Sequence, residues 1–299
     1  MSIRPVKRVV TATPHTEGAG VKLRRAFGFG ETSEFDPFLL FDDFRNENPG
    51  DYLAGFPWHP HRGIETITYV LAGNVEHGDS LGNHGSLGAG DVQWMTAGSG
   101  IMHQEMPRGD ARGRMHGFQL WANLPGSLKM TKPRYQDIAA ADIPEVVDDD
   151  GTRVRVIVGE FWGKQGPVEG VAADPQYVDV SVPPGARKRL GVETSRHAFA
   201  YVFAGSGTFR DASAPQGVLT EATDGSDAVR REHTGNRSLV LFDSGDEVVV
   251  QAGDEGIRFL LVSGKPLEEP VAWYGPIVMN TQEQLRQAIA DLREGTFIR

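Results

Sequence analysis

Apolar and polar residues alternate along short stretches of this chain. Glu65-Thr66-Ile67-Thr68-Tyr69-Val70 and Val178-Asp179-Val180-Ser181-Val182 each send every second residue to one side, the period of a β-strand. Glycine-rich turns separate such stretches, and the apolar runs are short and rich in Val, Ile, Phe and Tyr. The pattern predicts an all-β protein of many short strands. The tail departs from it. From Thr281 to Arg293 the period lengthens to that of a helix, with Leu285, Ile289 and Leu292 on one face. Thr281 with Gln284 three residues on forms a capping pair at its start, and Gly295 suits its end. Its polar face carries acids as well as bases, so the helix is expected to cover a β-domain and not to lie on a membrane.

The strand pattern occurs twice. Tyr69-Val70-Leu71-Ala72-Gly73 is matched by Tyr201-Val202-Phe203-Ala204-Gly205, each a strand end running into a glycine turn. Further on, Gly90-Asp91 pairs with Gly245-Asp246 and, at the same offset, Ala97-Gly98 with Ala252-Gly253. Two similar β-domains follow from this repeat, and 299 residues are enough for each to bury its own core. The expected division is 1–135 and 136–299. The segment from Lys132-Pro133 to Pro144 reads as connector, and the acidic turn Asp148-Asp149-Asp150-Gly151 as the entry to the second domain.

Composition narrows the chemistry. The formal charge of −10, without a Lys/Arg cluster, argues against direct binding of nucleic acid, whose affinity depends on cations displacing counterions. There is no cysteine, so disulfides, thiolate metal sites and a cysteine nucleophile are excluded, and any metal must sit on imidazole and carboxylate. The polar N-terminus lacks the apolar core of a signal peptide, and no apolar stretch is long enough to span a bilayer. A cytoplasmic location is the simplest expectation. The glycine run 82–90 lacks the Lys-Ser/Thr ending of a phosphate-binding loop, and no serine sits in a Gly-x-Ser-x-Gly elbow.

His59-Pro60-His61 carries the first chemical signal. Alternate residues on an extended backbone point to the same side about 6.5 Å apart, close enough for both imidazoles to meet one ion. His103-Gln104-Glu105 repeats the spacing, and two such pairs on neighbouring strands make a four-ligand set. Three imidazoles and a carboxylate suit Fe, Mn, Ni, Cu, Co or Zn better than Mg or Ca, which prefer oxygen. Glu65, four residues past His61, is a competing carboxylate. The repeat supplies an internal control: His59 and His61 fall opposite Gly191 and Glu193, and His103 and Glu105 opposite Arg258 and Leu260. The second copy is therefore expected to be metal-free. His197 and His233, like His15, His77, His84 and His116, lack a paired partner and are expected at the surface or in hydrogen bonds.

Longer stretches carry a resemblance. Asp36 to Phe44 (DPFLLFDDF), Phe56 to Thr66 (FPWHPHRGIET), Gly90 to Pro107 (GDVQWMTAGSGIMHQEMP), Gly117 to Pro125 (GFQLWANLP) and Gly275 to Thr281 (GPIVMNT) resemble the pirin family across nearly the whole chain. Pirins are bicupins: two jelly-roll-like β-barrels facing each other, with iron in the N-terminal barrel. The resemblance implies that His59, His61, His103 and Glu105 are the ligands, not Glu65, with Fe(II) the first choice of metal. Thr96 stands where the general cupin pattern has a proline, a departure that pirins share.

The resemblance further implies quercetin 2,3-dioxygenase activity: cleavage of a flavonol by dioxygen with release of CO. Glu105 is then the candidate base. Phe56, Pro57, Trp58 and Met106 flank the ligands as candidate pocket walls, with Asp43 and Arg62 as candidate polar neighbours. The rival expectation is a metal- or redox-sensing regulatory protein that acts through protein partners. Both use the same ligands.

Overall fold

The computed structural model describes residues 2–209 and 234–298; His233 lies outside them. The described chain is mostly antiparallel β-structure in two cupin barrels. In the first, a four-stranded sheet runs in the order Phe56–His61, Ile101–Arg108, Asn74–Asp79, His84–Leu87. It faces a seven-stranded sheet with Ile64–Ala72 and His116–Asn123 near its centre and Thr13–Glu17 at one edge. The second barrel is a nine-stranded sheet around His197–Phe209 and the long Glu247–Gly264 strand. A second core of Val154, Val178, Leu190, Val202, Val248 and Leu261 fills its interior.

The two domains join through an apolar layer. Phe41, Tyr69, Trp94 and Phe118 on the seven-stranded sheet pack against Phe199, Tyr201, Phe203 and Leu260 on the nine-stranded one. The repeat seen in the sequence becomes a reciprocal bond here. Tyr69 donates to Asp179 Oδ2 at 2.7 Å, and its counterpart Tyr201 donates to Asp43 Oδ2 at 2.9 Å. Each tyrosine thus reaches a carboxylate of the other domain, and each carboxylate is also held by an arginine, Arg258 or Arg45. Buried phenol hydroxyls need such partners.

The chain ends cross over. Val6–Thr11 pairs with Ser238–Phe242 in the second sheet. The expected division at 135/136 falls inside the Arg134–Ile138 strand, which pairs with Val92–Thr96 of the first. The predicted C-terminal helix spans Gln282–Glu294 with the Thr281–Gln284 capping box and a left-handed Gly295. Its buried face differs from expectation: Leu285, Ala288 and Asp291 point inward, whereas Leu292 is 39% exposed. The reason is polar. Asp291 meets the buried Arg62 of the first domain, which sets the helix rotation. No helix among the described residues is long and apolar enough to cross a membrane.

Candidate metal centre

Antiparallel pairing brings the two histidine signals together. His103 lies directly across from His59 and Ile101 across from His61, with a register shift before Glu105, which faces Phe56. The three imidazoles of His59, His61 and His103 have ligand atoms all within 4.8 Å of one another. Two of them are oriented by carbonyls: His59 Nδ1 lies 2.8 Å from Pro57 O, and His61 Nδ1 lies 3.2 Å from Pro276 O. A carbonyl can only accept, so each Nδ1 carries the proton and leaves Nε2 with a free lone pair. His103 is buried with neither ring nitrogen hydrogen-bonded among the described residues. Burial pulls His61 down to about 3, helped by His59 and opposed by the Pro276 carbonyl, and pulls His103 well below its ordinary value. Converging imidazoles whose ring nitrogens no protein group satisfies are what a metal site requires, so the donor set fits a metal ion.

Glu105 is buried on the same cavity wall but outside that three-imidazole group, held by Thr68 Oγ1 at 3.0 Å. Burial raises its pKa, while His59, the Thr68 hydroxyl and His77 oppose the shift. The same Thr68 hydroxyl lies 2.8 Å from Gln119 Oε1. One hydroxyl proton cannot serve two acceptors, so in the ionised state of Glu105 the amide of Gln119 presents its N–H to Thr68. Glu65 accepts from Thr96 Oγ1 at 2.7 Å and takes no part in the cavity lining, so the hydroxyl that replaces the usual proline serves Glu65.

A cavity of about 630 Å³ opens beside the imidazoles. Phe56, Pro57 and Trp58 line it as the sequence suggested; Trp121, Trp273 and Phe29 add further aromatic wall. Trp273 comes from the C-terminal segment and packs edge-on against Phe29 at 5.5 Å. Three expected pocket residues go elsewhere; for Asp43 and Met106 the reason is that adjacent residues on a strand face opposite ways, and for Arg62 it is the set of buried partners it meets just past the strand end. Asp42 lines the cavity with Arg25, while Asp43 points to Tyr201 and Arg45. Met106, next to Glu105, packs beside Gly55. Arg62, next to His61, donates to Ser99 O, Asp291 Oδ2 and Phe297 O. Thr68, Gln119 and Trp121 escaped the sequence reading, although alternation along Ile64–Ala72 and His116–Asn123 carries the signal; Trp273 and Pro276 arrive by tertiary packing alone.

Of the other described histidines, His197 departs from expectation, being half-buried with its Nδ1 lacking a hydrogen-bond partner among the described residues. His77 is buried against the Tyr135 hydroxyl at 2.6 Å, His116 meets Phe118 edge-on at 5.2 Å, and His15 and His84 are exposed. Opposite the ligands in the second domain, Arg258 pairs with Asp179 and Leu260 is buried in the interdomain core.

Residues 20–122 match the family model described as Pirin, and residues 177–298 the one described as Pirin C-terminal cupin domain. A pirin-like protein of Caulobacter vibrioides is 44% identical over 298 residues, covering 99% of this chain and 100% of its own. Pirin of Homo sapiens is 38% identical over 294 residues, covering 98% and 93%. The crystal structure of quercetin 2,3-dioxygenase from Acinetobacter baumannii superposes with a TM-score of 0.84 at 30% identity, covering 99% of each chain. With both halves matched by the family's two domain models, and the three imidazoles inside the first, the chain belongs to the pirin family.

Proposed function

We propose that this protein holds one metal ion on His59, His61 and His103, with Glu105 as fourth ligand or base, and opens flavonols such as quercetin with dioxygen. The observation that carries this reading is the cluster of three imidazoles, two of which, His59 and His61, line an aromatic-walled cavity together with the buried Glu105 carboxylate. The likeness to a solved quercetin 2,3-dioxygenase supports it. Iron is the first choice, and Mn, Ni, Cu, Co or Zn suit the same donors. When bound, the metal would supply Lewis acidity and electron transfer toward dioxygen.

The chain's own residues do the rest. A cavity of about 630 Å³ is within the range of roughly 300–1,000 Å³ that small-molecule sites occupy. Trp58, Trp121 and Trp273 offer flat faces to a planar aromatic substrate and exclude water. Glu105, with its pKa raised by burial, is suited to take the proton of the flavonol 3-hydroxyl, and Thr68 fixes the carboxylate's direction. The domain from about residue 136 serves structure, apart from the cavity wall that its C-terminal segment supplies.

The test is stoichiometric. Iron-loaded protein should consume one dioxygen and release one CO per flavonol lost, since bleaching alone also reports autoxidation. Full iron loading with no CO from a panel of flavonols would overturn the enzymatic reading in favour of a regulatory protein.

A further inference from the structure

A second cavity, of about 520 Å³, lies at the domain junction, away from the imidazoles. Its lining includes Lys22, Arg24, Arg45 and Arg237, with Glu47 the sole carboxylate among the residues that line it. In a chain of net charge −10 this is a local reversal of sign. Two of the cations are already paired: Lys22 with Asp51 at 2.7 Å and Arg45 with Asp43 at 3.1 Å. Arg24 and Arg237 have no ion pair among the described residues; Arg24 donates to the backbone oxygen of Ala12 at 3.0 Å.

The cleft is built, not incidental. Arg45 crosses the junction to Phe203 O at 3.0 Å and Asn236 Oδ1 at 2.7 Å. Using that oxygen leaves Asn236 to offer its amide N–H groups. Arg237 holds a left-handed backbone, φ +66°, unusual for an arginine. Its N–H binds Val202 O at 2.7 Å and its carbonyl accepts from Ala12 N at 2.9 Å, so the conformation is pinned from both sides. Burial lowers the Arg237 pKa, the nearby Arg45 and Arg24 add to the effect and Asp43 opposes it. Cations held together, with one carboxylate among the residues that line the cleft, repel one another, a cost that a bound anion offsets.

We propose that this cleft is a binding site for a phosphate-bearing small anion, with Arg24 and Arg237 as its main donors and Arg45, Lys22 and Asn236 beside them. Guanidinium groups present paired N–H donors that match the oxygens of a tetrahedral dianion. Because both domains contribute, an occupant would also brace the junction.

Titration calorimetry of the full-length, metal-loaded protein with inorganic phosphate tests this, at constant ionic strength set with chloride, with metal content measured afterwards to show that phosphate strips none. The expected result is saturable binding of one equivalent, weakened at least about tenfold by Arg24→Gln and by Arg237→Asn, as loss of a charge-assisted hydrogen bond implies. Asparagine tolerates the left-handed backbone, and Arg24→Gln decides alone if the other variant fails to fold. No saturable binding, or unchanged affinity in a folded variant, would overturn the assignment whatever the metal centre does.

Discussion

Arg62 donates a 2.7 Å hydrogen bond to Asp291, 229 residues away, and both side chains are buried. The same guanidinium reaches Ser99 O and Phe297 O and lies 4.1 Å from the Phe297 ring centroid. Gly63, with φ +78°, lets Val278 pack against a backbone where a Cβ would collide. The C-terminal segment is therefore fastened to the turn that follows His61, and its Pro276 carbonyl orients that imidazole.

Removing one partner of this buried pair should be costly. Asp291→Ala is expected to destabilise the fold by about 3–5 kcal/mol, because Arg62 is left charged and buried without its carboxylate. Urea unfolding measures this. A change below about 1 kcal/mol, the worth of an exposed pair, would show that the bond does not matter.

Stability should depend on pH through the buried histidines. His116 is pulled to about 4 by burial, with Asp43 opposing, against about 6.5 in the unfolded chain. Between those values the unfolded chain binds a proton that the folded chain refuses. Stability from this group is therefore full above about pH 6.5 and falls as pH drops toward 4. His116 lies away from the three imidazoles, so His116→Gln should flatten the decline in urea midpoint of metal-free protein between pH 7 and pH 5. An unchanged slope would contradict the assignment.

Glu105→Gln keeps an oxygen but cannot accept a proton. It should retain metal and slow flavonol cleavage by about 10² to 10⁴, the usual effect of removing a general base. Thr68→Val should lower turnover less and leave KM nearly unchanged, with Thr68→Ser restoring it, because Thr68 acts through the carboxylate. Parent-like turnover by Glu105→Gln would remove the base role.

Tyr201→Phe strips the hydroxyl from buried Asp43, and its expected cost is about 1–3 kcal/mol. Because Tyr69 bonds a different carboxylate, Asp179, and both substitutions leave the ring packing on the shared Phe118 in place, the double variant should lose close to the sum of the single effects. Chemical denaturation of the three variants measures this, and no loss in either single variant would show that the interdomain bonds are dispensable.

Strand periodicity made much of this legible. Alternation placed His59 with His61, the shared tyrosine and glycine words gave two domains, and Thr281, Gln284 and Gly295 marked the ends of the helix. Alternation applied one residue at a time also explains the failures at Asp43 and Met106: proximity to a ligand suggested them, with Arg62, for the pocket, yet each faces away from it. Their partners, Tyr201 and Asp291 among them, lie far along the chain, where no local pattern points. The exposure of Leu292 has the same cause, since the bond to Arg62 turns Asp291 of the helix inward and Leu292 outward. The wall formed by Trp273 and Pro276 comes from the far end of the sequence and is legible only in the packed molecule.

Elemental analysis of the purified protein against a His59→Ala, His103→Ala variant tests the metal centre most directly. The account predicts about one transition-metal equivalent per chain in the parent and little in the folded double variant, since two of three converging imidazoles are gone. A double variant that still held a full equivalent would contradict it.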